Sequence, residues 1–301
     1  MAQRMQLGFN LPISDTGGDP ATVKTLAQTA EGLGYDYLAV PDHVLGVNAA
    51  SRPNWGARNT SADCFHDPFV LFGYLASCTQ SIGFSTEVMI IAQRQAALMA
   101  KQAASLDVLC GGRFRFGVGV GWNEVEYVGL GMDFSNRGVR SAEQVEVMQA
   151  LWADEHVTFK GKWHQIDDAG INPLPPARRI PVWFGGHADI VLKRIAKYGD
   201  GWIMLSHPEG DDAERAFDTL RGYWAEAGRS GEPGLSVWVS NAEGGPDDWR
   251  RAIAYWKGVG VSHVTVNNTF GRYQHKRIEG RTLADHLQAM VRYRDVVGDL
   301  L

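Results

Sequence analysis

Cysteine is scarce in this chain, and its few thiols form no pattern. Cys64, Cys78 and Cys110 are odd in number and make no Cys-x-x-Cys pair. That argues against a disulfide framework and fits reduced thiols in a cytoplasmic protein. Missing too is any uninterrupted run of the roughly 18 apolar residues that a membrane helix needs. The start MAQRMQLGFNLPI turns polar too soon for a signal peptide, so no membrane association is expected. Positive charge is also short: the formal net charge is −5, and no Lys/Arg cluster is interleaved with aromatics. Nucleic acid is therefore not an expected partner. The histidines are scattered, with neither His-Glu-x-x-His nor a Cys/His cluster, so no metal site is expected. A Gly-x-Ser-x-Gly nucleophile elbow and a Walker loop are likewise absent.

What is present is the material of a large core. Hydrophobic residues make up 45% of the 301 residues and charged ones 21%. Short runs rich in Val, Ile and Phe alternate with segments of helical period. MQLGFNLP, YDYLAVPD, IGFSTEVMII, RFRFGVGVG, IPVWFGG, GWIMLS, LSVWVSN and HVTVNN read as strands. DPATVKTLAQTAEGLG reads as a helix with Asp19 as N-cap, Pro20 in its first turn and Gly34 as its stop, and Asp67-Pro68 repeats that start. The polar stretch from Val157 to Arg179 predicts a small hairpin and a Pro-rich approach. Strand-helix units in this number and length are the arithmetic of an α/β (β/α)8 TIM barrel with loop insertions. No linker or composition shift divides the chain, so residues 1–301 are expected to form a single domain.

The stretch RFRFGVGVGWNEVE, residues 113–126, places Gly117, Gly119 and Gly121 at every second position. A dinucleotide fingerprint needs Gly-x-Gly-x-x-Gly at the first strand-helix turn and an acidic residue about 20 positions later. Here the spacing is shorter, the strand is the fourth and no such acid follows. Two readings are left open. Glycines inside a barrel strand let neighbouring side chains fill the lumen. Alternatively, Gly119 and Gly121 lie at the strand's carboxyl end, where a flat ring or a phosphate could rest on bare backbone.

STEVMIIAQRQAALMAKQAASLDVLCGGRFRFGVGVGWNEVEY resembles the signature block of the bacterial luciferase-like flavin and deazaflavin oxidoreductases, most closely the branch that uses coenzyme F420. LGYDYLAVPDHV and PVWFGGHAD match two further blocks in order. The resemblance implies a luciferase-like barrel, an F420 or FMN cofactor and a homodimer. It puts Asp42 and His43 at the cofactor face, with the histidine near the reactive ring. Glu87 and Val88 match a bulge with a non-prolyl cis peptide behind that ring. Gly119, Gly121, Trp122 and Asn123 match the region beside the coenzyme's side chain and phosphate. Gly185, Gly186 and His187 match a second phosphate turn at a helix N-terminus. The chain departs from the branch in two places. A sugar-phosphate dehydrogenase of the branch carries a carboxylate directly after the fourth-strand glycines, whereas here Glu124 and Glu126 are shifted along. Glu87 stands where relatives often have Gly or Ser.

The resemblance implies an oxidoreductase that moves a hydride between the deazaflavin and a small organic substrate, with His43 as the expected proton carrier because imidazole titrates near neutrality. The alternatives are an FMN-dependent monooxygenase on the same barrel and, in another class, a non-catalytic deazaflavin carrier. Glu124, Glu126 and Tyr127 are expected on a loop that either chooses the substrate or faces water. Arg94, Arg137 and Arg140 are expected as surface arginines. The 46–66 loop, with Arg52, Trp55 and Arg58, is long enough to be a lid, and His66 is expected to serve local capping.

Overall fold

The computed structural model describes residues 4–205, 207–271 and 275–301. Its strands are β1 (Gln6–Asn10), β2 (Tyr37–Val40), β3 (Gly83–Thr86), β4 (Met89–Ile90), β5 (Phe114–Gly119), β6 (Val157–Lys160), β7 (Gln165–Ala169), β8 (Val182–Gly185), β9 (Gly201–Leu205), β10 (Gly234–Val239) and β11 (His263–Val266). Parallel pairing runs β3-β2-β1-β11-β10-β9-β8-β5, and β3 pairs with β5 to close the ring. The result is an eight-stranded parallel barrel surrounded by helices, a TIM barrel. β6 and β7 are the anticipated hairpin, antiparallel and outside the ring.

The helices begin where the side chains dictate. Asp19 accepts hydrogen bonds from the amides of Ala21 and Thr22 ahead of the Pro20–Gly32 helix, and Asp67 does the same for Phe69 and Val70. Outward-facing Phe84, Phe114 and Phe116 pack with Phe72 and Trp152 from the helices. The alternate residues of the same strands face the lumen, which is unusually polar. There the Arg115 guanidinium lies between the rings of Tyr37 and Trp183, 4.4 and 4.5 Å from their centroids.

The run read as a third strand is interrupted. After β3 the chain bulges at Glu87-Val88, whose peptide is cis, and resumes as β4. Gly119 and Gly185 explain how the bulge fits. A Cβ on Gly119 would stand 2.5 Å from Val88 Cγ2, and one on Gly185 2.9 Å from Val88 Cγ1. Val88 therefore projects into space that two bare backbones leave open. Gly117, one step earlier, lies against the Thr86 carbonyl, 1.8 Å from where its Cβ would be. Lumen packing thus accounts for Gly117, and the bulge accounts for Gly119.

This crowding gives a double-mutant test. Gly119→Ala should lower stability by about 1–3 kcal/mol, the usual cost of overpacking. In Gly119→Ala/Val88→Ala the clashing methyl is gone, and the nearest remaining contact, to Val88 Cβ, is an ordinary 3.5 Å. Denaturant unfolding should then show the two changes to be strongly non-additive. Additive losses would contradict the packing described.

Candidate active site

The carboxyl ends of the barrel strands open into a cleft of about 740 Å³. Asp42, His43, Glu87, Val88, Gly119, Gly121, Trp122, Gly185 and Gly186 all line it, so most of the residues expected at a site come together. Two do not. Asn123 turns away to cap the Glu124–Gly129 helix, its Oδ1 accepting from the Val125 amide. His187 is exposed beyond the lining, with its ring 6.2 Å from those of Trp202 and His207.

Glu87 forms the floor beneath the bulge. Arg115 Nη2 and Thr265 Oγ1 donate to its Oε1 at 3.3 and 3.0 Å, and Trp238 Nε1 donates to Oε2 at 2.8 Å. Burial pushes this carboxyl above its ordinary value, while Arg115, Trp238 and Thr265 oppose the rise. A charge so deep in a barrel is tolerable only with such a full set of partners. Here they tie the bulge to β5, β10 and β11 at once.

Asp42 works on the other side of the bulge. Its Oδ2 accepts from the Ile90 amide at 3.0 Å and its Oδ1 from Arg94 Nη2 at 2.7 Å. Burial raises its carboxyl too, with Arg94 acting against that. Arg94 also donates to Asp67, so it is a part-buried clamp and not the surface arginine expected. Arg137 lies over the Phe134 ring and donates to the Phe134 carbonyl, and Arg140 donates to the Ala92 carbonyl. These two are likewise structural. His66 does not cap the helix after it, which Asp67 starts; its Nε2 lies 2.7 Å from the carbonyl of Gly18, 48 residues away.

His43 stands on the cleft wall between two partners. The Asn59 amide nitrogen donates to its Nε2 at 3.0 Å, and its Nδ1 lies 3.4 Å from Glu126 Oε1. An amide donor on Nε2 fixes the neutral tautomer with its proton on Nδ1, toward the carboxylate. Glu126 is only 1% exposed and lies in a short helix, not on the loop expected. Its Oε1 also accepts from the amides of Val44 and Leu45, and Gln93 donates to Oε2. Burial raises this carboxyl, but the hydrogen bonds from His43, Leu45 and Gln93 outweigh it and hold the group below its ordinary value. The His43–Glu126 pair was not foreseen. The Asn123-x-x-Glu126 spacing marks a helix start but not the partner of Glu126.

Beyond Gly185 and Gly186 the Asp189–Tyr198 helix begins. Gly121 and Gly186 have φ of +66° and +125°, so the backbone at both turns is bare. Gly119, Gly121, Gly185 and Gly186 leave bare backbone along the cleft beside Val88 and Ile90. The residues present thus fit a phosphorylated tricyclic cofactor. Among the described residues no group of three or more His, Cys, Asp or Glu could hold a metal ion, and no helix is long and apolar enough to cross a membrane.

This architecture belongs to a known class. The luciferase-like monooxygenase family model matches residues 5–298, and the chain is a member of that family of oxidoreductases. The Mycobacterium tuberculosis protein Rv0953c is 31% identical over 266 residues, covering 86% of this chain and 90% of its own. Among solved structures, the monooxygenase RslO1 from Streptomyces bottropensis superposes with a TM-score of 0.80 at 15% identity, covering 98% of this chain and 99% of its own. An F420-dependent secondary alcohol dehydrogenase, solved with an F420–acetone adduct, gives 0.75 at 17% identity, covering 99% and 100%. At these identities the two structures establish the shared fold.

The Glu126 geometry sets a pH signature. A carboxyl held low in the folded protein contributes stability that is present above its unfolded value, near 4.5, and lost as pH falls through the lower folded value. Glu126→Gln should therefore be less stable than the parent at pH 7, and the gap should close on acidification below about pH 4. Thermal melts of both proteins across pH 3–7 measure it. A gap independent of pH would remove the charge from the explanation.

Proposed function

We propose that this enzyme transfers a hydride between coenzyme F420 and a small organic substrate. The observation that carries the reading is the His43–Glu126 pair on the wall of a cleft floored by Val88. Reduction by hydride requires a proton at a second site on the substrate, and an imidazole held by a buried carboxylate is suited to deliver it. Glu126 orients the ring through its Nδ1 side. Nε2, now occupied by the Asn59 amide, is the nitrogen that faces an incoming partner.

The deazaflavin supplies two-electron hydride chemistry when bound. The protein's part is to hold, orient and shield. Val88, Gly119 and Gly185 shape the seat for the ring, and the turns at Gly121 and Gly186 offer bare backbone to a phosphate. Asp42 and Glu87 keep the bulge in place from either side. Trp122 and Trp238 wall the cleft and help keep water out. The sequence blocks around Gly119 and His43 support F420 over FMN, and the FMN monooxygenase is the competing reading. A non-catalytic carrier would leave the His43–Glu126 pair without a task.

Parallel fluorescence titrations with F420 and FMN decide between these cofactors. Saturable binding of F420, with FMN at least about tenfold weaker (~1.4 kcal/mol), is the expected result. Preference for FMN would move the enzyme to oxygen-activating chemistry, and binding of neither would overturn the proposal.

A further inference from the structure

Every carboxylate lining the cleft is already engaged. Asp42 holds Arg94, Glu87 holds Arg115 and Glu126 faces His43. Asp15 takes both Arg277 Nη2 and His286 Nε2, at 2.7 and 3.1 Å. Asp63 accepts from the amide and hydroxyl of Thr60. Two cations that line the same cleft, Arg58 and Arg281, pair with no carboxylate among the described residues.

Arg58 is held in place without being neutralised. Its guanidinium carbon lies 5.5 and 5.6 Å from the ring centroids of Trp55 and Trp122. Trp55 is itself fixed, donating from Nε1 to the Asn59 carbonyl at 2.9 Å. A bridge between Val47 and Thr60 closes the base of the loop. The next residue, Asn59, is the one that touches His43 Nε2. Arg58 thus belongs to the wall that carries the proposed proton carrier. Arg281 follows β11, and the order of strands around the barrel sets β11 and β1 across the mouth from β8 and its Gly185-Gly186 turn. A pre-positioned planar fork of N–H donors recognises a carboxylate bidentately, and the Trp122 and Phe270 rings in the same lining suit a flat apolar body.

We infer that Arg58 and Arg281 select an organic anion: the substrate carries a carboxylate on a flat apolar body, seated beside Trp122 and His43. The assignment of that anion to the substrate rests on the hydride-transfer reading above. The same chemistry could come from the acidic tail of the cofactor, so the test separates the two sources.

Benzoate and its neutral isostere benzamide are the probes, read by tryptophan fluorescence of the full protein in low salt, with and without F420. Benzoate should quench saturably and benzamide should not. In Arg58→Gln the benzoate affinity should fall by roughly tenfold or more, the worth of a charged hydrogen bond, and Arg281→Gln should act in the same direction. F420 affinity should stay within about twofold in both variants, an effect of ~0.4 kcal/mol. Absent or equal responses to the two probes, or benzoate binding unmoved in both variants, would overturn the anion site. A parallel loss of F420 affinity would assign the arginines to the cofactor's tail and overturn the substrate assignment. Failure of F420 to bind the parent, with benzoate still bound, would reject the hydride reading and leave the anion site standing.

Discussion

The site depends on one steric constraint, the placement of Val88 against backbone that carries no side chain. Barrel strands normally fill their lumen with side chains in layers. Here Gly119 and Gly185 leave that volume to a single valine from the third strand, which pushes the bulge toward the mouth and gives the cleft its floor.

Holding such a bulge takes polar work below and beside it. Glu87 looks down into the lumen and joins β5, β10 and β11 through Arg115, Trp238 and Thr265, while Asp42 holds the returning strand through the Ile90 amide. Removing one partner of such a buried charge pair typically costs about 3–5 kcal/mol. The two carboxylates therefore serve geometry before chemistry. Glu126, the third, serves the histidine. The three acids nearest the floor thus divide into two that fix the backbone and one that holds His43.

Much of this was legible in the sequence. The barrel strands follow from short apolar runs bounded by turn residues, and the Asp-Pro starts marked helices correctly at Asp19 and Asp67. His43, Val88, Gly119 and Gly185 were placed at the mouth through the resemblance of their blocks. Asn123 was assigned to the cofactor, whereas its side-chain oxygen accepts from the Val125 amide to start a helix. Arg94 was read as a surface residue because its two acids lie 52 and 27 positions away. No local pattern announces partners at such separations. The same holds for Glu126 and His43, 83 residues apart in the chain and brought together only when β2 and β5 close around the bulge. Arg58 carried no motif at all, and its setting emerges only from the fold of the 46–66 loop over Trp122.

The central claim is that Val88 floors the seat of a deazaflavin ring, with His43 on the wall above it. A crystal structure of the protein soaked with F420 tests this most directly. The account predicts density for the tricyclic ring lying flat against Val88, the phosphate at the Gly121 and Gly186 turns, and His43 still facing Glu126. A ring bound elsewhere, or one seated there with His43 turned out of the cleft, would contradict it.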